Sequence, residues 1–369
     1  MPPLVKKKVL LMGRSGSGKT SMRSVIFQNT LPSLTHRLGA TIDVEQSHQR
    51  FLGSLILNLW DCGGQSSFLE SYLAAQKSTV FAHAGVLIYV FDVDAGEKEW
   101  KADMQYFKDC LRVLYTYSPE AAAFVLVHKM DLIPTAERAE TFDRKKREIL
   151  TVTRGIKLMR IFGTSIWDET LYKAWSQIVH TLIPNAAALK RGLTTLTRAC
   201  GAVEAVLFEK TTFLLIAHSE GLRNTMDENL LMASSSSSTV STDTSSHPGT
   251  SSTSTDGSNG PPSGSVSDGG TVSTAEQLRL QHLSRLSANR FERVSSILKI
   301  FKLRCLNWTT EKWVGLHIQL PGFTAVIEPL TVNSYVMVLS ADEKITTEAI
   351  KINIRMAKQK FEDLQAGSV

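Results

Sequence analysis

The chain has 369 residues, 43% of them apolar and 21% charged, which suffices for two packed domains and excludes a disordered or fibrous class. Its net charge of +6 is mild and no Lys/Arg stripe interleaves with aromatics, so nucleic acid is not an expected partner. Cys62, Cys110, Cys200 and Cys305 stand far apart with no CxxC pair, the usage of reduced thiols in a cytosolic compartment and not of a zinc site.

No signal peptide is visible, and no apolar run approaches the roughly 18 residues a membrane helix needs. Direct membrane insertion is therefore not expected. Pro2 follows Met1 where myristoylation needs a glycine, and Ala366-Gly367-Ser368-Val369 offers no cysteine for prenylation. Work at a membrane would need an anchoring partner. The Lys6-Lys7-Lys8 run reads as the solvated lead-in to the first strand.

Lys8-Val9-Leu10-Leu11-Met12 predicts a buried parallel strand, and Ser21 to Asn29 carries Met22, Val25 and Ile26 at helical spacing. Between them, Gly13-Arg14-Ser15-Gly16-Ser17-Gly18-Lys19-Thr20 has the GxxxxGK[ST] spacing of a phosphate cradle. Backbone N–H groups of such a loop point at phosphate oxygens and the helix adds its positive end. Lys19 is placed to reach the β- and γ-phosphates, and the Thr20 hydroxyl to ligate Mg²⁺.

A polar stretch from Leu31 to Arg37 leads to Leu38-Gly39-Ala40-Thr41-Ile42. A hydroxyl at Thr41 can complete Mg²⁺ coordination while its N–H touches a γ-phosphate, so that this loop orders only when the phosphate is present. Val44 to Phe51 and Leu55 to Trp60 read as strands, the second delivering Asp61-Cys62-Gly63-Gly64-Gln65 at its carboxyl end, where open α/β sheets bind ligands. Asp61 is expected to hold Mg²⁺ through a water, the Gly64 N–H to contact the γ-phosphate, and Gln65 to orient an attacking water.

Val86 to Asp92 is a near-continuous apolar run, the mark of a strand buried on both faces, and a helix follows from Glu97 to Tyr117. Phe124 to Val127 runs into His128-Lys129-Met130-Asp131. The two oxygens of Asp131 can accept from guanine N1–H and N2–H₂, a donor pair adenine lacks. The Lys129 stem would pack on the base while its ammonium bonds the cradle backbone. Ile161 to Ile166 predicts a last strand entering a loop that closes over the base, and Asp168 caps a helix ending near Pro184.

From Asn185 the pattern changes. Ala186 to Cys200 reads as a helix, and Ala205 to Glu209 with Thr212 to Ala217 as a hairpin split at Lys210-Thr211. Residues 233–274 are almost all Ser, Thr, Gly, Pro and Asp, an expected disordered insertion that serves as an inert extension or a phosphorylatable tether. Order is expected to return at Glu276, in an amphipathic helix carrying Phe291, Val294, Ile297, Leu298 and Phe301. Three strands follow over Trp313 to Leu320, Phe323 to Glu328 and Ser334 to Leu339, then a helix over Thr346 to Leu364.

The segments Thr35 to Glu45, Leu59 to Gln65, Val127 to Asp131 and Thr164 to Trp175 together resemble the small GTPases, and within them the Rag GTPases of the A/B type, with the Gtr pair as fungal counterpart. The resemblance covers the first half almost continuously and resumes after the insertion. It implies an α/β fold: a Ras-like doubly wound P-loop domain at 1–184, then a roadblock/longin-like α+β dimerisation domain at 185–369. An open sheet with one helix-covered face there would leave an edge strand and an apolar helix for a second such domain.

The same resemblance implies GTP/GDP and Mg²⁺ as ligands. Arg14, Ser15, Gly16, Ser17, Gly18, Lys19, Thr20, Ser21, Thr35, Thr41, Gly64, His128, Lys129, Asp131, Thr164 and Ile166 would then line the nucleotide. Thr20, Thr41 and Asp61 would hold the metal, and Gln65 would be the hydrolytic residue. Implied partners are a Rag C/D-type subunit, the TOR kinase complex, a membrane-anchoring scaffold complex and a GTPase-activating complex. The implied location is cytoplasmic and peripheral on the vacuolar or lysosomal membrane, with the nucleus left open. Ser15 stands where Ras has a glycine that admits an arginine finger, so hydrolysis is expected to be slow without an activator of another kind. Two rivals are weaker. A P-loop kinase has no use for a guanine-selecting tetrad, and a scaffold without turnover has no use for Gln65.

Overall fold

The computed structural model describes residues 5–41, 43–52, 55–64, 77–153, 160–183, 185–219, 289–306 and 313–366. Gln65, Pro184, the insertion at 233–274 and the expected helix onset before residue 289 lie outside them. Six strands among the described residues build the first sheet: β1 (Val5–Met12), β2 (Val44–Leu52), β3 (Leu55–Cys62), β4 (Ala84–Asp92), β5 (Ala122–His128) and β6 (Arg160–Thr164). Their order is β2-β3-β1-β4-β5-β6, parallel except for the β2–β3 hairpin pair. Helices α1 (Lys19–Phe27), α2 (Lys77–Phe81), α3 (Glu97–Tyr117), α4 (Arg138–Val152) and α5 (Thr170–His180) connect them.

Side chains alternate across a strand, and β4 shows the consequence. Val86, Ile88 and Val90 pack with α1 and α5, whereas Leu87, Tyr89 and Phe91 pack with α3. Both faces are dry, which is why that segment carries no polar period. The helix α4 has no counterpart in the sequence reading. Only Lys145 and Ile149 are buried along it, so it lacks the apolar stripe that makes a helix visible. Lys145 turns its ammonium over Trp100, 3.7 Å from the ring centroid, which fastens α4 to α3.

The second sheet is antiparallel, ordered β8-β7-β11-β10-β9 from β7 (Glu204–Glu209), β8 (Leu215–His218), β9 (Leu316–Leu320), β10 (Phe323–Thr331) and β11 (Ser334–Ser340). Helices α6 (Ala186–Ala199) and α8 (Thr347–Ala366) cover one face and α7 (Arg290–Leu306) the other. Both faces are therefore helix-covered, not one. The β7–β8 turn is longer than expected. The buried Glu209 carboxylate accepts the Thr211 and Thr212 N–H groups at 2.9 and 2.6 Å, and Phe213 sits at φ +59°, so β8 begins at Leu215. The apolar stripe of α7 is split, with Phe291 and Leu298 buried and Ile297, Ile300 and Phe301 exposed.

One continuous apolar cluster joins the two sheets, with Trp175, Ile178 and Val179 of α5 packed alongside Leu189, Leu193, Leu207 and Val336. Trp175 is fully buried and meets Phe27 of α1 edge-on at 5.0 Å. Trp175→Ala should lower the free energy of unfolding by about 3–5 kcal/mol, the usual cost of emptying an aromatic site in a close-packed core. Urea unfolding measures it, and a loss below about 1 kcal/mol would mean that the cluster closes over the gap.

Candidate functional site

Loop 13–18 leaves β1 and enters α1 at Lys19, with Gly18 at φ +93°. A side chain at Gly18 is excluded twice over, by that backbone angle and by the His128 ring, which would stand 2.6 Å from a Cβ. From β3, Gly64 comes against the same loop. A Cβ there would lie 2.2 Å from Ser15 N, and the Ser15 N–H donates to Gly64 O at 2.9 Å. The Lys19 ammonium donates to Gly13 O and Arg14 O at 2.8 and 2.9 Å, curling the loop around itself. Burial pushes the Lys19 pKa below the ordinary lysine value, against the pull of Asp61.

Thr20, Thr41 and Asp61 come together beside this loop. The Thr20 hydroxyl donates to Asp61 Oδ2 at 2.8 Å and therefore accepts from Thr41 Oγ1, 2.7 Å away. Asp61 is fully buried, and its Oδ1 has no hydrogen-bond partner. Two hydroxyls and one carboxylate are hard oxygen donors, the set that suits Mg²⁺. An unpartnered buried carboxylate oxygen costs about 1–3 kcal/mol or more, which a cation-held water would relieve, so these residues fit the metal. Burial raises the Asp61 pKa, a shift that a cation would oppose. The adjoining cavity, about 250 Å³, is lined by residues 15–16, 18–21, 38–41 and 64. Leu38, Gly39 and Ala40 join it although the sequence reading gave them no role.

The ends of β4, β5 and β6 form a second cluster. His128 Nδ1 and Thr164 Oγ1 meet at 2.9 Å with both side chains buried. The Ser165 hydroxyl donates to Asp131 Oδ1 at 2.6 Å and accepts the Trp167 N–H at 3.0 Å, which ties Asp131 to the loop after β6. Lys129, at φ +63°, pairs through its ammonium with Asp92 Oδ2 at 2.6 Å and not with the cradle backbone. Asp168 Oδ1 accepts the Thr170 N–H at 3.0 Å, but the N-cap position of α5 is Glu169, one residue later than expected, and it makes no side-chain cap bond.

Other expected residues do not line the cavity beside the phosphate loop. The Thr35 hydroxyl donates to Pro32 O at 2.8 Å within a 3₁₀ turn over Pro32–Arg37. The Arg14 guanidinium donates to Glu99 O at 3.1 Å, toward the start of α3, leaving only its backbone to the loop. Ser17 Oγ is buried without a partner, and Ile166 packs on the core side beside Val25 and Trp167. Arg23, Asp92 and Ser165 were not singled out. Each acts through a partner more than twenty residues distant in sequence, a link that only strand register supplies.

The family model described as the Gtr1/RagA G protein conserved region matches residues 8–298. The chain is 40% identical to Ras-related GTP-binding protein A of Dictyostelium discoideum over 97% of each chain. It is 39% identical to GTP-binding protein gtr1 of Schizosaccharomyces pombe over 99% of this chain and 98% of that one. A more distant similarity, 26% identity over 58% of this chain and 53% of the other, links it to Ras-related GTP-binding protein C of Homo sapiens.

Burial lowers the His128 pKa from 6.5 to about 4 and keeps the ring neutral. The unfolded chain takes up a proton there as pH falls through 6.5, whereas the folded chain resists until about 4. This residue thus costs nothing above pH 6.5 and up to roughly 3 kcal/mol at the acid end of that window. His128→Asn should lose less stability than the parent chain between pH 6.5 and 4 in urea titrations. Parallel curves would show that the ring is not held neutral.

Proposed function

This chain belongs to the Gtr1/RagA family of G proteins, a guanine-nucleotide-binding GTPase, and we propose that it works as the Rag A/B-type half of a heterodimeric nutrient switch. The observation that carries the site assignment is the meeting of Thr20, Thr41 and Asp61 next to the phosphate loop. In this reading the loop amides of residues 15–20 and the Lys19 ammonium hold the β- and γ-phosphates. The Ser15 N–H, now donating to Gly64 O, turns to phosphate when GTP enters. Thr20 and Thr41 would hold Mg²⁺ directly and Asp61 would hold it through water. The chemistry the ion would supply there is neutralisation of charge developing on the phosphate.

Asp131 reads guanine N1–H and N2–H₂ with its orientation fixed by Ser165, and His128 and Thr164 brace that loop against Gly18. Gln65 orients the attacking water. Thr41 and Gly64 sense the γ-phosphate, so hydrolysis frees loop 28–41 from its ordered arrangement. Ser15 is one of the more exposed loop residues and adds a hydroxymethyl at the γ-phosphate edge, which disfavours a Ras-style arginine finger and leaves hydrolysis to an activator that works around it.

The domain division at 184/185 belongs to this proposal, with the second half as the pairing module. Its edge strand β9 is almost wholly exposed, and Ile318 and Leu320 lie open on it beside Phe323 of β10. A second sheet of the same kind could pair there while Ile297, Ile300 and Phe301 of α7 offer apolar surface. A Rag C/D-type chain is the partner of choice, and the heterodimer would report amino-acid sufficiency to the TOR kinase complex. No helix among the described residues is long and apolar enough to cross a membrane, so placement on the vacuolar or lysosomal surface falls to a scaffold partner.

Co-expression with a candidate C/D-type subunit, followed by size exclusion and chromatography of bound nucleotide, tests the reading. The expected outcome is an equimolar complex carrying guanine nucleotide and no adenine nucleotide. Gln65→Leu should leave that complex intact and raise its GTP fraction. A monomer indifferent to the subunit would overturn the pairing, and an unchanged single-turnover rate in Gln65→Leu would remove Gln65 from the chemistry.

A further inference from the structure

Arg23 lies on α1 one turn beyond Thr20, with only 5% of its surface exposed. Its Nε donates to Asp61 Oδ2 at 3.1 Å, and its Nη2 donates to Glu45 Oε2. Glu45 and Asp61 are direct register partners across the antiparallel β2–β3 pair. Opposed residues of such a pair project from the same face, so two carboxylates are forced side by side where like charges repel. One is fully buried, and the other has about half of its side chain exposed. A planar guanidinium has the fork geometry to bridge both, which a lysine ammonium lacks.

The division of labour on Asp61 follows. Oδ2 receives the Thr20 hydroxyl and the Arg23 Nε, and Oδ1 is left without a partner. Rotation of the carboxylate would break both bonds at once. We propose that Arg23 is the positioning residue of the Mg²⁺ site, holding Asp61 against Glu45 so that Oδ1 is the oxygen presented to metal-bound water. Through Glu45 the same guanidinium fastens the exposed edge strand β2 to the metal site, so a partner that displaces β2 also disturbs Asp61. This rests on the Mg²⁺-dependent nucleotide site described above.

The measurement is release of a fluorescent GDP analogue as free Mg²⁺ is titrated, repeated in excess EDTA, on the chain with its C/D-type partner. Arg23→Ala should raise the Mg²⁺ concentration that half-stabilises the complex by about tenfold to a hundredfold, the usual effect of losing an outer-shell support. Its release rate in EDTA should match that of the parent chain, because Arg23 acts through the metal. Adding Glu45→Gln to Arg23→Ala should recover part of the Mg²⁺ affinity by removing the repulsion. Arg23→Lys, which keeps the charge and disturbs packing least, should show a smaller loss of the same kind.

An unchanged Mg²⁺ requirement in Arg23→Lys and Arg23→Ala overturns the inference. So does release that is equally accelerated with and without Mg²⁺, which would mark Arg23 as a fold support only. A parent chain that holds GDP equally well with and without Mg²⁺ would instead overturn the reading of the site.

Discussion

A carboxylate with no exposed surface must be answered by its surroundings, and Asp61 imposes that demand on the nucleotide end of the first sheet. It stands at the end of β3, opposite Leu11 of β1 and Glu45 of β2, so strand register alone decides which groups can reach it. From β1 the chain turns through loop 13–18 into α1, which brings Thr20 and Arg23 to the same oxygen. Three residues later in β3's exit, Gly64 lies so close to the loop that no side chain could be accommodated. Charge on one side and closeness on the other place phosphate loop and strand end in a fixed relation before any ligand enters.

That relation explains what could be read from residues alone. The cradle, Asp61-Cys62-Gly63-Gly64 and His128-Lys129-Met130-Asp131 were legible because each stands at the end of an apolar strand that announces itself. β4 was legible for the same reason. Contacts made by long side chains across the sheet were not. The Lys129 ammonium was expected on the cradle and instead pairs with Asp92, since β4 and β5 run parallel with Asp92 beside His128. Thr35 could not be placed either, because a 3₁₀ turn begun by Pro32 captures its hydroxyl locally.

The misread elements share a cause. α4 buries only Lys145 and Ile149, with Phe142 and Val152 partly buried against the core, so its sequence looks like a charged loop. The β8 boundary shifted because Glu209 spends its carboxylate on the turn that follows it, a buried acid whose pKa is raised by desolvation and restrained by those same N–H donors. In both places polar side chains do work that an apolar pattern cannot register.

The helix α1 is gripped at both ends. Its first residue closes the phosphate loop, and its last carbonyls, Val25 O and Ile26 O, accept from the Lys299 ammonium of α7, the Val25 bond being 2.8 Å long. Lys299 is 2% exposed, and burial brings its pKa down to about 7 although Glu209 favours the charged form. A cation there also meets the negative end of the α1 dipole. A helix so held, with Phe27 against Trp175 behind it, is a poor candidate for large movement. What is free to respond to a phosphate is the segment between α1 and β2. Its 3₁₀ turn has no buried residue, and among the described residues the Thr41 hydroxyl ties it to Thr20. In the proposed reading, the Thr20–Thr41 hydroxyl pair is where a phosphate-dependent change in the loop would reach the metal-site residues, while the buried helix and the sheet behind it need not move.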